Sequence, residues 1–147
     1  MALLKEKVAI ITGSGSGIGR AIAELFAEEG AKVVVSDINE ANGKSVVEGI
    51  KQKGGEAIFV KADTASVDDN KNLVAAAVAQ YGKLDIAVNN AGIGGPAQLS
   101  GEYDIDGWNK VIDINLNGVF YGCRFQLAQM VKNGGGNIIN IASIHGT

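Results

Sequence analysis

Apolar positions along the chain come in five short runs separated by longer, periodically apolar segments. The runs are Val8–Thr12, Lys32–Ser36, Ala57–Val60, Leu84–Val88 and Asn137–Ile141. Short β-branched runs bounded by turn residues predict buried strands. The intervening segments predict helices. From Gly17 onward, Ile18, Ile22, Leu25 and Phe26 form one helical face, and Gly30 ends it. Asn39–Gln52 reads as a polar helix with Val46, Val47 and Ile50 inward, stopped by Gly54-Gly55. Ser66 is placed to cap a third helix, with Asp69 as a carboxylate version of the capping box. That helix carries Val67, Val74, Ala77, Val78 and Tyr81, and Gly82 closes it. After a glycine-rich loop at 93–105, which holds Pro96, a long helix sets Trp108, Ile112, Leu116, Val119, Cys123, Leu127 and Met130 on one stripe. It ends at Gly134-Gly135-Gly136, and residues 142–147 follow the last strand as an exit loop.

Five strands alternating with four helices over 147 residues predict a single α/β domain, 1–147. Crossovers of this length force parallel pairing with helices on both faces of the sheet. In such an open sheet, a ligand lies beyond the carboxyl ends of the strands.

Composition narrows the function classes. Apolar residues make up 46% of the chain, which suits a packed core. The net charge of −3, with no basic run, argues against nucleic acid or an anionic membrane surface as a partner. No apolar stretch approaches a membrane span or a signal peptide. The one cysteine, Cys123, has no internal disulfide partner. A cytoplasmic location is the expectation from these features. No metal-ligand spacing is present.

The chemistry concentrates at strand ends. Thr12-Gly13-Ser14-Gly15-Ser16-Gly17-Ile18-Gly19 joins the first strand to the first helix. A turn of this kind points backbone N–H groups at a phosphate. Alone, it also suits FAD, S-adenosylmethionine or simple packing. Gly13 permits the tight turn, Gly17 allows a pyrophosphate to approach, and Gly19 allows close helix–strand packing. Asp37 ends the second strand, 18 residues after Gly19. A carboxylate there can accept from both ribose hydroxyls of an adenosine. It would repel a 2′-phosphate, and no Arg or Lys stands between Gly13 and Gly19 to offset this, so NAD is favoured over NADP. Asp63, after the third strand, could bond an adenine amino group, with Ile38 against the ring. Ser143 and His145 do not make a hydrolase triad without a placed acid, and G-x-S-x-G is absent. His145 reads as a loop residue near a substrate mouth.

Thr12-Gly13-x-x-x-Gly17-Ile18-Gly19, Asp63, Asn89-Asn90-Ala91-Gly92, Asn115 and Ser143 together resemble the common subgroup of the short-chain dehydrogenase/reductase family. The resemblance implies a Rossmann-type doubly wound parallel sheet of strand order 3-2-1-4-5. It also implies NAD as cofactor, and hydride transfer to or from a small-molecule alcohol or carbonyl substrate. By it, Thr12 to Gly19, including Ser16, would hold the pyrophosphate and the neighbouring ribose. Asp37 would select NAD, and Asp63 with Thr64 would form the adenine pocket. Asn90, Ala91 and Gly92 would line the cofactor, with Asn89 to Gly92 stabilising the central sheet. Asn115 would kink the long helix and order a water in a proton relay. Ser143 would hydrogen-bond the substrate oxygen.

The family's acid/base tyrosine and its lysine fall after the serine, and Tyr81, Tyr103 and Tyr121 do not match that motif. The chain is therefore expected to be the N-terminal portion of an oligomeric oxidoreductase and inactive by itself. The alternative is an NAD-binding module that catalyses nothing. The fifth strand is expected to form an open, association-prone edge.

Overall fold

The computed structural model describes residues 2–144. Five strands, β1 (Val8–Thr12), β2 (Lys32–Asp37), β3 (Glu56–Lys61), β4 (Ile86–Asn89) and β5 (Asn137–Asn140), form one sheet of order β3-β2-β1-β4-β5. Every pairing is parallel, with Ile10 beside Val34 on one side and Ala87 on the other. The expected doubly wound Rossmann-type sheet is present. His145, Gly146 and Thr147 of the expected exit loop lie outside the described residues.

The described residues form five α-helices, α1 (Gly17–Glu28), α2 (Glu40–Gln52), α3 (Val67–Tyr81), α4 (Ile105–Ile112) and α5 (Gly118–Lys132), of which α1, α2, α3 and α5 pack on the sheet. A π-helical turn, Asp113–Asn117, joins α4 to α5, so the long helix is continuous but not regular. β1 is central and buried at every position. Its side chains alternate between two cores. Ala9 and Ile11 meet Val33, Val35 and Val88, together with Ala23 of α1 and Val46 and Ile50 of α2. Val8 and Ile10 meet Val34 and Ala87, with Leu73 and Ala77 of α3 and Met130 of α5.

Two helical faces differ from the sequence expectation. In α1 the buried residues are Gly19, Ala23 and Ala27, while Ile18 and Leu25 are exposed. The small residues face the sheet because the helix packs close to the backbone of the glycine turn. In the long helix the buried line is Gly118, Gly122, Gln126 and Met130. Trp108, Leu116 and Leu127 are exposed, and only Met130 of the expected stripe is fully buried. The π-turn adds a residue per turn and rotates the face that α5 presents, and the glycines let α5 approach its neighbours. A Cβ at Gly118 would stand 2.8 Å from the Thr64 carbonyl oxygen.

At the amino end of the sheet, Asp85 fastens β1 to β4. Its Oδ2 accepts the Val8 N–H at 2.9 Å and pairs with the Lys83 ammonium at 2.8 Å. At the far side, β5 is the edge strand and most of it is exposed, as expected of an open edge. Among the described residues, no helix is long and apolar enough to cross a membrane.

Candidate functional site

The carboxyl ends of β1 and β4 are clamped together. Thr12 Oγ1 accepts the backbone N–H groups of Asn90 and Ala91 at 3.0 and 3.1 Å. The Asn90 side chain returns the contact, its Nδ2 donating to the carbonyls of Thr12 and Gly13 at 3.1 and 3.3 Å. Gly13 has φ +61°, and a Cβ there would lie 2.9 Å from Ala91 Cα. Both the left-handed backbone and the close approach require glycine. A Cβ on Gly19 would overlap the Gly13 carbonyl oxygen.

Ser14 locks the turn from beneath, in a role the sequence did not reveal. It is fully buried; its Oγ donates to the Ile11 carbonyl at 2.7 Å and accepts the Ser36 N–H at 3.0 Å. One serine thus ties the turn to both β1 and β2.

The start of α1 is bare of side-chain capping. Asn39, Ser66 and Asp104 each accept a backbone N–H as N-caps of α2, α3 and α4. Ser16, the N-cap of α1, makes no such bond. No side-chain cap meets the first-turn N–H groups of α1, which stand at the positive end of the helix dipole. Gly17 has φ +54°, with open space where a Cβ would stand.

Asp37 closes this turn from the β2 side. Its Oδ2 accepts the Gly15 N–H at 2.9 Å, and its Oδ1 accepts the Asn39 N–H at 2.9 Å. Each oxygen keeps a further lone pair for a ligand. Asp63 uses Oδ1 for the Ala65 N–H at 2.9 Å, and its own N–H donates to Asp69 Oδ2 at 2.8 Å. This corrects the expected capping box. Ser66 does cap Asp69 N–H at 3.2 Å, but the Asp69 carboxylate turns to Asp63. The Ser66 N–H is already taken by the Asp63 carbonyl at 3.0 Å.

These strand ends enclose a cavity of about 580 Å³, within the usual size of small-molecule sites. The turn contributes Gly13, Ser16, Gly17 and Ile18. The end of β2 contributes Asp37 and Ile38, and the end of β3 Ala62, Asp63 and Thr64. The exit of β4 contributes Asn90, Ala91 and Gly92. Ile93, Lys110 and Ile114 complete the wall; Ile93 and Lys110, like Ala62, carry no sequence motif. Ile18 and Ile38 are large apolar side chains, 66% and 64% exposed, that face open space on this wall. Thr12 and Gly19 lie beneath the cavity and shape it without lining it.

Asn115 sits within the π-turn and reaches across to the loop after β4. Its Oδ1 accepts the Ile93 N–H at 2.9 Å, and its Nδ2 donates to the Ile93 carbonyl at 2.8 Å. Ser143 follows β5, is exposed, and is not part of the cavity wall. His145, expected near a substrate mouth, lies outside the described residues.

Behind the cavity, Asn89 anchors a buried amide network. Its Nδ2 donates to Gln126 Oε1 at 3.0 Å and to Asn140 Oδ1 at 2.8 Å, and its Oδ1 accepts Gln126 Nε2 at 2.8 Å. This holds β4, β5 and α5 together. Gln126 is another residue that sequence reasoning missed. The four-residue spacing Gly118, Gly122, Gln126, Met130 was its signal.

A family model described as short chain dehydrogenase matches residues 7–147. Cyclohexanol dehydrogenase of Acinetobacter sp. (strain SE19) is 49% identical over 96% of this chain and 56% of its own length. The 2,5-dichloro-2,5-cyclohexadiene-1,4-diol dehydrogenase LinX of Sphingobium indicum is 45% identical over 97% of this chain and 57% of its own. A 3beta-hydroxysteroid dehydrogenase of Mediterraneibacter gnavus is 43% identical over 99% of this chain and 52% of its own. The chain spans about half the length of the curated relatives it matches.

Proposed function

The chain belongs to the short-chain dehydrogenase family, and we propose that its cavity holds NAD(H) for oxidoreduction of an alcohol or carbonyl substrate. One observation carries the reading. The uncapped start of α1 and the carboxylate of Asp37 open into the same cavity. The first is suited to a pyrophosphate and the second to ribose hydroxyls.

The residues present fit such a group. The N–H groups around Gly17 and Ile18 would hold the pyrophosphate. Asp37 would accept from the adenosine ribose with its remaining lone pairs. A 2′-phosphate would bring negative charge against that carboxylate, so NAD is favoured over NADP. Asp63 and Thr64, with Ile38 and Ile114 as apolar surfaces, would receive the adenine. Asn90, Ala91 and Gly92 would border the other ribose. Bound there, a nicotinamide supplies a hydride acceptor for an alcohol or a hydride donor for a carbonyl. Asn115, by fixing Ile93, holds that end of the wall in place. Ser143 is proposed to hydrogen-bond the substrate oxygen. The names of the three relatives each describe an alcohol carried on a ring, which favours a ring alcohol as the substrate class.

The test is a fluorescence titration of the protein with NADH and NADPH. Tighter binding of NADH supports the reading; failure to bind either overturns it. A second reading is a cofactor-binding module without catalysis. It predicts NADH binding with no reduction of NAD by cyclohexanol.

We also propose a homo-oligomer. Trp108, Leu116, Phe120, Leu127 and Val131 on α4, α5 and the turn between them are more than half exposed. An apolar surface of this extent is suited to burial against a second copy.

A further inference from the structure

The cavity contains one cation whose place no motif explains. Lys110 lines the wall from α4, one turn before Ile114. The other charged residues of the wall are Asp37 and Asp63, both carboxylates. Two ordinary uses of a helical lysine do not apply to Lys110. Asp106 stands four residues earlier, the spacing of a helical ion pair, yet no carboxylate among the described residues lies within 4.0 Å of the Lys110 ammonium. Asp113, three residues later, is bonded to Asn117 at 2.9 Å. Nor does Lys110 complement a helix end. The helix runs on through Asp113–Asn117 into α5, so Lys110 does not stand at a helix terminus.

We infer that Lys110 is a further nucleotide-binding residue, whose ammonium pairs with the pyrophosphate of a dinucleotide in this cavity. The inference rests on the proposed cofactor reading. Without Lys110, the side-chain charge of the wall would be that of two carboxylates facing a dianionic group. With it, a pyrophosphate held by the N–H groups of α1 would share the cavity with a cation. Lys110 is exposed, so its charge acts partly through solvent. The effect is therefore modest and salt-dependent.

The experiment measures Kd for NADH, NADPH, ADP and adenosine at low and high ionic strength. It compares the unaltered protein with Lys110→Gln and Lys110→Arg. Lys51→Gln, on the far end of α2, controls for net charge. The expected result is a loss of about threefold or more in NADH and ADP affinity for Lys110→Gln at low salt. Lys110→Arg keeps the affinity, Lys51→Gln leaves it unchanged, adenosine is unaffected, and the loss shrinks at high salt. Equal NADH binding by Lys110→Gln and the unaltered protein overturns the inference. So does an equal loss with adenosine, or a loss confined to NADPH, which would place the ammonium at a 2′-phosphate. If the unaltered protein binds none of the phosphorylated ligands, the cofactor reading itself has failed.

Discussion

The Asp37 carboxylate holds the backbone of Gly15: its Oδ2 accepts the Gly15 N–H at 2.9 Å across the mouth of the glycine turn. The residue proposed to choose the cofactor thus also fixes the loop proposed to hold the cofactor's phosphates. Truncating Asp37 removes both roles. Asp37→Ala is expected to weaken NADH by about tenfold or more, since bonds to a charged acceptor are worth about 1.5–3 kcal/mol. NADPH loses less, because the repulsion of its 2′-phosphate is relieved. Parallel fluorescence titrations give the ratio; a ratio unchanged from the unaltered protein counts against Asp37 as the selector.

Gly19 acts below the cavity. An added methyl would overlap the Gly13 carbonyl and stand 2.5 Å from Asn90 Nδ2. Gly19→Ala therefore pushes α1 from the turn and is expected to cost about 1–3 kcal/mol, as overpacking does. Urea unfolding would show the loss, and NADH binding should fall with it. Gly49→Ala, where a Cβ meets open space on α2, is the matched control and should be neutral or stabilising.

The Asn89–Gln126 amide pair exchanges two buried hydrogen bonds, at 2.8 and 3.0 Å. Replacing Gln126 strands Asn89 Oδ1 while Asn89 Nδ2 keeps Asn140, and replacing Asn89 strands the Gln126 amide. Gln126→Leu and Asn89→Leu should each destabilise by about 1–3 kcal/mol. The double variant should lose less than the sum, because the second change removes the stranded group. Strict additivity in denaturant melts would show that the pair does not act as a unit.

Two groups make stability depend on pH in opposite directions. Burial works to raise the pKa of Asp85, but the Lys83 hydrogen bond, the Val8 N–H and the Lys83 charge hold it below its ordinary 3.8. A depressed carboxylate stabilises above its unfolded pKa and loses that contribution as pH falls through the folded value. Asp85→Asn should flatten the fall in Tm below about pH 4. Tyr81 behaves in reverse. Burial, with a smaller effect from Glu56, pushes its pKa up to about 12. Its stabilisation is present below the ordinary value of 10.0 and is lost as pH rises toward about 12. Its hydroxyl is buried without a hydrogen-bond partner among the described residues. Tyr81→Phe should thus be neutral or stabilising at pH 7 and resist the alkaline loss. A Tm drop at pH 7 would mean the hydroxyl is paired.

The sheet was legible because a parallel strand buried on both faces leaves an unbroken apolar run, and Val8–Thr12 and Lys32–Ser36 are such runs. The cavity wall was legible where glycine or aspartate marks a strand end. The helix faces were less so. Large apolar residues drew the expected stripe through Trp108, Leu116 and Leu127, whereas the buried line follows Gly118 and Gly122. Periodicity weighs side-chain size and cannot see that a glycine is buried by close approach. The π-turn is also invisible to a fixed 3.6-residue period, and it shifts the register midway along the helix. Ser14 was hidden for a related reason. Its hydroxyl serves two strands that only the fold brings together.

Asn115 offers the sharpest local test. Within the π-turn its side chain grips Ile93 by both backbone groups, at 2.9 and 2.8 Å. Ile93 comes after Gly92 on the cavity wall, and a Cβ on Gly92 would lie 3.3 Å from Asn115 Oδ1. The grip therefore sets where the wall ends and the 93–99 segment begins. Asn115→Ala releases both bonds, while improving helix propensity at its own position. Global stability should change little, because the bonds are solvent-exposed. Local opening should rise: each bond is worth about 0.5–1.5 kcal/mol, so exchange of the Ile93 amide should quicken about tenfold. NADH affinity should fall with it, since a less ordered wall must be fixed on binding. Hydrogen exchange with site resolution decides the matter. Unchanged exchange at Ile93, with NADH affinity intact, would show that the wall stands without Asn115.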